Sequence, residues 1–417
     1  MNTLLRSVAS LFLVISVALM LSGCGVVNAL KMRMANNGVE PVWPEGAVNV
    51  QLPTAYVSDK PYVRAMVNGQ HEMLFLVDTG ASITLLNDSE KVRSLKLEKG
   101  FDLPLSGWGE GKDSSGFQTE LNSLSIGGIE FKNFKVAYLP VSQTDYYLSE
   151  DEIVYDGVIG HDVLRHFVWT FNRNTQTTTV ANRSHQPSAN EQKIEMDVFF
   201  AKPYVPVNVE FKPGHLVEHE VIIDTGSRHY FKLSSAYLED NNIKPETTVE
   251  AADFGLSGAA LHQRFTANQI SLGDNQFNKV KVNVIKSDDD DDWWVIGNAL
   301  LSKQVFTLDY IEEAMYIERH KGTAVASRFN KLGLELRKTK TGDFIVRFLF
   351  PNLSAEKSGL KVGDRIVEID GLKASKLSEE QWLDITNTNG AHRICTEARC
   401  WNLEAKGVEG YSQFSAE

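Results

Sequence analysis

Leu74-Phe75-Leu76-Val77-Asp78-Thr79-Gly80 and Val221-Ile222-Ile223-Asp224-Thr225-Gly226 are the two stretches on which the reading of this chain turns. In each, an apolar run of strand type ends in an aspartate, and the glycine two residues on permits the turn that presents it. One Asp-Thr-Gly is weak evidence, because an aspartate and a glycine in a turn also have a plain structural reading. Two at matching positions of a repeat carry more weight.

The repeat can be tested by one constant shift, the one that carries Asp78 onto Asp224. It also lays Trp108-Gly109 on Phe254-Gly255, Gly127 on Gly273, Phe131 on Phe277 and Val136 on Val282. After a shorter loop, a slightly smaller shift brings Val158-Ile159-Gly160 onto Val295-Ile296-Gly297 and Leu164 onto Leu301. Chance similarity does not keep register in this way, so residues 48–183 and 193–320 read as two copies of one domain. Short alternating apolar runs such as 62–67 and 73–77, separated by turn residues, make each copy antiparallel β. The polar stretch 181–192 divides them.

If the copies pack about a pseudo-twofold axis, the two turns meet. Two carboxylates a few ångströms apart do not both ionise, so Asp78 and Asp224 would share one proton. The ionised member can then take a proton from water while the other donates to a carbonyl oxygen, which is chemistry for amide hydrolysis. Thr79 and Thr225 are expected to hold the turns by hydrogen bonds across the interface, with Gly80 and Gly226 permitting them.

With both motifs in one chain, residues 48–319 resemble the retropepsin-like aspartic peptidases of the pepsin superfamily, in tandem. The resemblance implies a mainly β fold of two acid-protease β-barrel lobes, with Val158-Ile159-Gly160 and Val295-Ile296-Gly297 packed beneath the aspartates. It further implies glycine-bearing flaps over the substrate, and Gly107-Trp108-Gly109 and Phe254-Gly255 sit where such flaps belong. By that likeness the catalytic residues are Asp78 and Asp224, the flap residues Trp108, Gly109, Phe254 and Gly255, and the activity is endopeptidase cleavage. Arg228 and His229, beside the second turn, depart from the pattern, which leaves two readings open: a shifted dyad, or a second lobe turned towards a binding role.

Residues 328–410 have a different texture: Leu332-Gly333-Leu334, a strand-like run at 344–350, glycine turns between Gly359 and Gly371, then a helix at about 378–385. This segment resembles a PDZ domain, an α+β module. The likeness implies that Leu332, Gly333 and Leu334 receive a peptide's C-terminal carboxylate and that protein C-termini are partners.

The N-terminus reads as an export leader, residues 1–23, with Arg6 at its positive end and an apolar run at 8–21 too short for a bilayer span. It stops at Leu21-Ser22-Gly23-Cys24, which resembles the lipobox of bacterial lipoproteins. That implies a lipid on Cys24, attachment to a membrane of the bacterial cell envelope and, with Gly25 following, the outer membrane facing the periplasm. Residues 24–47, with Pro41 and Pro44, are expected to be a tether. Apart from Cys24 the chain holds Cys395 and Cys400. In an oxidising compartment they suit a local disulfide across a hairpin, with two free thiols as the alternative.

The 417 residues allow two or three domains, and a formal charge of −12 argues against a nucleic-acid partner. No cofactor and no metal site is expected. His215-Leu216-Val217-Glu218-His219 has the spacing of an inverted zinc-peptidase motif, but Pro213-Gly214 before it and a strand-like 220–223 after it leave no room for the helix. His161 and His166 read as structural, the acidic run 288–292 as a solvated loop and Trp293-Trp294 as core. The competing functional readings are a peptide-binding envelope lipoprotein without catalysis and an assembly scaffold acting through the C-terminal segment.

Overall fold

The structure is a computed structural model that describes residues 24–144, 146–245, 248–286, 294–320 and 323–405. The expected leader and the acidic loop with Trp293 lie outside the described residues.

Both repeats fold the same way. The first orders its strands Ala55–Val57, Lys60–Val67, His71–Val77, Gly157–Ile159, Leu85–Asn87, Ile129–Leu139, Ser114–Ile126, Asp102–Leu105. In the second, Asp197–Phe199, Lys202–Glu210, Leu216–Asp224, Val295–Gly297, Phe231–Ser234, Asn275–Ile285, Gly258–Leu272 and Val249–Gly255 take the corresponding places. Pairing of Lys60–Val67 with Ser114–Ile126, and of Lys202–Glu210 with Gly258–Leu272, closes each sheet into a barrel. The two-residue period decides what fills it: in Lys60–Val67, Val63, Ala65 and Val67 are buried while Arg64 and Met66 are exposed.

A third sheet joins the lobes, in the order Asn49–Pro53, Thr177–Ala181, Val168–Asn172, Phe306–Asp309, Ala314–Glu318, Glu191–Glu195. At its centre, Val168–Asn172 runs antiparallel to Phe306–Asp309, and Phe171 stacks on Phe306 at 4.9 Å between ring centroids. This seam carries the pseudo-twofold relation, and one hydrophobic core runs through both barrels.

Residues 24–47 are not the free tether expected. Cys24–Met34 is helical, Asn28 donates to the Asp102 carbonyl at 2.8 Å, and Met32 is buried against Leu103, Leu105 and Leu139. Asn36 donates to the Lys135 carbonyl and to Asp162 and accepts from the Lys135 amide. Trp43 meets Phe167 edge-on at 5.6 Å. The segment shows no apolar period because a few buried side chains and polar bonds to the barrel backbone hold it, rather than a wide apolar face.

The C-terminal domain has its own core, built on Leu334, Leu336, Phe344, Val346, Ile366 and Trp382. Leu334–Lys338, Phe344–Leu349 and Arg365–Ile366 form one sheet, and Leu372–Lys373, Glu368–Ile369, Gly390–Cys395 and Cys400–Ala405 another. The predicted helix is Glu379–Asn387, where Ser378 and Gln381 form a reciprocal capping box. Cys395 and Cys400 are disulfide-bonded across the last hairpin.

Candidate active site

Each aspartate leaves its strand where the Val-Ile-Gly segment runs parallel beside it. Val77 pairs with Ile159 and Asp224 with Gly297, and the Asp78 amide donates to the Ile159 carbonyl at 3.1 Å. Glycine is required at that crossing: a Cβ on Gly160 would lie 2.4 Å from the Ile83 carbonyl carbon, and one on Gly297 2.5 Å from the His229 oxygen. The two turns then grip each other. The Thr79 amide donates to Thr225 Oγ1 at 3.1 Å and the Thr225 amide to Thr79 Oγ1 at 3.0 Å. Each hydroxyl in turn donates to the opposite strand, Thr79 to the Ile223 carbonyl and Thr225 to the Val77 carbonyl. Both threonines are fully buried, so all four bonds are made without competing water.

The glycines of the turns have a second task. A Cβ on Gly80 would stand 2.9 Å from the Asp224 carboxyl, and one on Gly226 2.2 Å from that of Asp78. Each motif lacks a side chain where the other's carboxylate must enter. Asp78 Oδ1 accepts from the Gly80 amide at 2.8 Å and Asp224 Oδ1 from the Gly226 amide at 2.9 Å. Burial first, then the charge of Asp224 and a hydrogen bond with it, push Asp78 up to about 8, against the Gly80 amide and Lys60. Two carboxyls so placed favour one proton held between them.

The dyad opens onto a cavity of about 580 Å³. The expected flaps are the turn between Asp102–Leu105 and Ser114–Ile126 and the turn between Val249–Gly255 and Gly258–Leu272, and their tips bond to each other. The Ser257 amide donates to the Trp108 carbonyl at 3.0 Å, and the Gly111 amide to the Ser257 carbonyl at 2.7 Å. Gly109 and Gly255 sit at this contact: a Cβ on the first would meet the Ser257 carbonyl carbon at 2.4 Å, on the second the Trp108 oxygen at 2.2 Å.

Arg228 and His229 line the same cavity but find their partners away from the dyad. Arg228 pairs with Glu335 of the C-terminal domain, and His229 meets Asp253 at 2.6 Å. Asp253 also takes Arg264 at 3.2 Å and Asn283 at 2.7 Å, and His262 lies 3.1 Å away. Burial pushes Asp253 up, but His229, His262 and Arg264 outweigh it and hold the carboxyl well below the usual range. Burial also drives both imidazoles down, His262 to about 3, so Arg264 carries the compensating charge. The cations that do face the dyad went unnoticed in the sequence. Lys202 feels both aspartates, while Lys232 lies 3.8 Å from the Trp108 ring centre and is drawn down to about 8 by burial against the pull of Asp224 and Asp253. No motif marks them, since each belongs to an ordinary strand.

The C-terminal domain docks on the cleft through charges. Arg328 and Arg173 converge on Asp59, Glu379 accepts from Ser58, and Arg365 pairs with Asp151 at 2.6 Å. Its proposed carboxylate loop is occupied from within: the Gly333 and Leu334 amides donate to Asn330 Oδ1 at 3.1 and 3.3 Å, and Leu332 and Leu334 are fully buried. An amide oxygen of the chain itself thus stands where the likeness places a peptide's terminus.

None of the set-aside histidines lines the cavity. Leu216–Asp224 is a strand, His219 stacks on the buried Trp294, and His161 and His166 pack against Tyr310 and Phe131.

Two barrels, a shared carboxylate pair and paired flaps define an aspartyl protease type of structure. Residues 63–163 match the aspartyl protease family model, and residues 326–392 match the PDZ domain model. The chain thus carries an aspartyl protease domain in its first lobe and a C-terminal PDZ domain. The second lobe is tied to the first by the internal repeat and the common strand order. A search of curated proteins found no match.

Proposed function

We propose that this chain is an aspartic endopeptidase in which one water, held between Asp78 and Asp224, attacks a substrate amide. The observation that carries the reading is the reciprocity of the turns, in which each threonine binds the opposite strand and each glycine admits the opposite carboxylate. The shared proton rests on Asp78 and polarises the substrate carbonyl, while Asp224, faced by Lys202 and Lys232, accepts a proton from water. No covalent intermediate on the chain is needed. The flaps open to admit a peptide, close to exclude water and pair with it as an added strand.

The PDZ domain contributes peptide binding beside the cleft, and capture of a C-terminus there requires Asn330 to leave the loop amides. A lipid on Cys24 would hold the enzyme on the periplasmic face of a bacterial outer membrane. Because the helix that begins at Cys24 packs on the first lobe, the body would ride close to that surface. Cys24→Ala is then expected to leave the membrane fraction.

The test is digestion of a peptide library across pH by the soluble chain. Cleavage at internal bonds is expected, falling as pH rises through about 8, where the retained proton leaves the dyad. The absence of cleavage at every pH, or cleavage that persists undiminished well above that limit, would refute it.

A further inference from the structure

The cleft holds a second charged cluster, away from the aspartates, where three parts of the chain meet. Arg337 and Arg347 of the PDZ domain reach across to the first lobe and share a single carboxylate, Glu152. Arg347 Nη1 donates to Glu152 Oε2 at 2.7 Å, and Arg337 Nη1 stands 3.7 Å from the same oxygen. Glu152 Oε1 is already taken by the Leu148 and Ser149 amides. Tyr146 accepts from Arg337 Nη2 at 2.6 Å, and the Arg347 guanidinium also lies 4.3 Å from the ring centre of Phe254, beside the tip of the second flap. Arg337, Arg347, Glu152, Tyr146 and Phe254 all line the cavity that contains Asp78 and Asp224.

Two guanidiniums on one carboxylate leave donors over. Arg347 is 4% exposed, yet its Nε and Nη2, like Nη1 of Arg337, find no hydrogen-bond partner among the described residues. Unpaired buried guanidinium donors are rare, since each forfeits water without replacement. Among the described residues the neighbouring carboxylates do not supply the missing acceptor: Glu335 is engaged by Arg228, Asp151 by Arg365, and Glu379 by Ser58 and the Lys338 amide. Positive charge outweighs negative among the described residues around Tyr146. Burial pushes its phenol up, but Arg337, Lys60 and Arg347 outweigh that and bring it down to about 7. A local irregularity aims Arg347 at the cleft. The pairing of Leu334–Lys338 with Phe344–Leu349 shifts between Glu335 and Leu336, a bulge that leaves Arg347 without a direct partner.

We propose that Arg337, Arg347 and Tyr146 form a carboxylate-binding subsite of the cleft, which takes an acidic group of the substrate peptide. The acceptor is either an Asp or Glu side chain or the peptide's own terminal carboxylate, the planar partners a guanidinium pair suits best. This rests on the peptidase reading, and it makes the PDZ domain part of the specificity wall of the cleft.

The experiment measures binding, so that it does not depend on turnover. Fluorescent peptides in matched pairs, Glu against Gln at each position in turn and free acid against terminal amide, are titrated into the full chain carrying Asp224→Asn. At one position or at the terminus, the acid is expected to bind about tenfold tighter than its neutral twin. Which pair discriminates identifies the source of the carboxylate. Arg347→Met and Arg337→Met each reduce the acid's affinity to that of its neutral twin. Glu152→Gln removes the internal competitor and widens the preference, a gain that misfolding would not produce. Equal binding within every pair, a preference untouched by both arginine variants, or no binding of any peptide overturns the subsite. Failure of the peptidase reading looks different: the wild-type chain cleaves nothing while the pairs still discriminate.

Discussion

The two lobes share a strand order, a turn and a supporting Val-Ile-Gly segment, yet each braces its Asp-Thr-Gly turn by different means. In the first lobe, Asp162 accepts from the Thr84 amide and hydroxyl at 2.8 and 2.7 Å and from Asn36, and Ile83 and Leu86 stand in apolar surroundings beside the turn. In the second, the places of Ile83 and Leu86 fall to His229 and Lys232, and the brace is the buried Asp253 cluster. The first lobe is closed over by residues 24–47 and the second receives Arg228–Glu335 from the PDZ domain. One skeleton is thus held on one side by a carboxyl group whose hydrogen bonds come from neutral donors, and on the other by buried charge paired with charge. The geometry of the dyad needs stiffness from both lobes but does not dictate its source.

The largest test of this contrast compares Asp253→Asn with Asp162→Asn. Removing Asp253 leaves Arg264 buried without its carboxylate, and should cost about 3–5 kcal/mol in urea denaturation. Asn at 162 still offers an acceptor to Thr84 and should cost about 1–2 kcal/mol. Equal losses would break the distinction. The pH dependences should also oppose each other. Asp253, held low, adds stability above the unfolded carboxylate range that is lost as pH falls below it. Burial outweighs the bonds to Thr84 and Asn36 and raises Asp162 to about 6, so its folded form favours the proton and stability falls as pH rises from about 4 through 6. Asp162→Asn should flatten that limb and Asp253→Asn should not.

A smaller effect is expected where each glycine admits its partner. Gly226→Ala places a methyl 2.2 Å from the Asp78 carboxyl and should lower kcat about a hundredfold, because a displacement of this size misaligns the pair. Gly80→Ala meets Asp224 at 2.9 Å and should cost less. The reverse order would contradict the assignment of the tighter approach to Asp78. Smallest are the threonines. Thr79→Val and Thr225→Val each remove one hydroxyl that both donates and accepts, and each should cost about 2 kcal/mol of stability. Similar costs sharpen the twofold symmetry of the grip, and a large inequality would show that one lobe carries it.

Much of this was legible in the sequence, because the decisive elements are local. An apolar strand running into Asp-Thr-Gly, and a Val-Ile-Gly segment further on, are signals within a few residues, and the constant shift then located both barrels. The PDZ helix was readable as a stretch at about 378–385, and the structure adds the Ser378–Gln381 capping box that starts it. What escaped depended on register between distant strands. Asp253, His262 and Arg264 belong to a hairpin whose pairing brings them together, while His229 and Asn283 come from elsewhere in the lobe. Arg228 and His229 looked like neighbours of the dyad because they follow it in sequence, but their partners are Glu335 and Asp253. Glu335 and Arg337 alternate with Leu334 and Leu336 in the way of a solvated strand face, and nothing local says that a second domain covers it. The docking of residues 24–47 was hidden for the same reason: Met32 and Asn36 act singly.

The central claim is that two halves of one chain supply one proton-sharing pair. Its most direct test is the single-turnover cleavage rate of one good peptide by Asp78→Asn, Asp224→Asn and the double variant. If the pair acts as a unit, each single variant loses about a thousandfold or more, and the double variant is no worse than either single one. Near-wild-type turnover by either single variant, or losses that multiply in the double, would contradict the shared dyad.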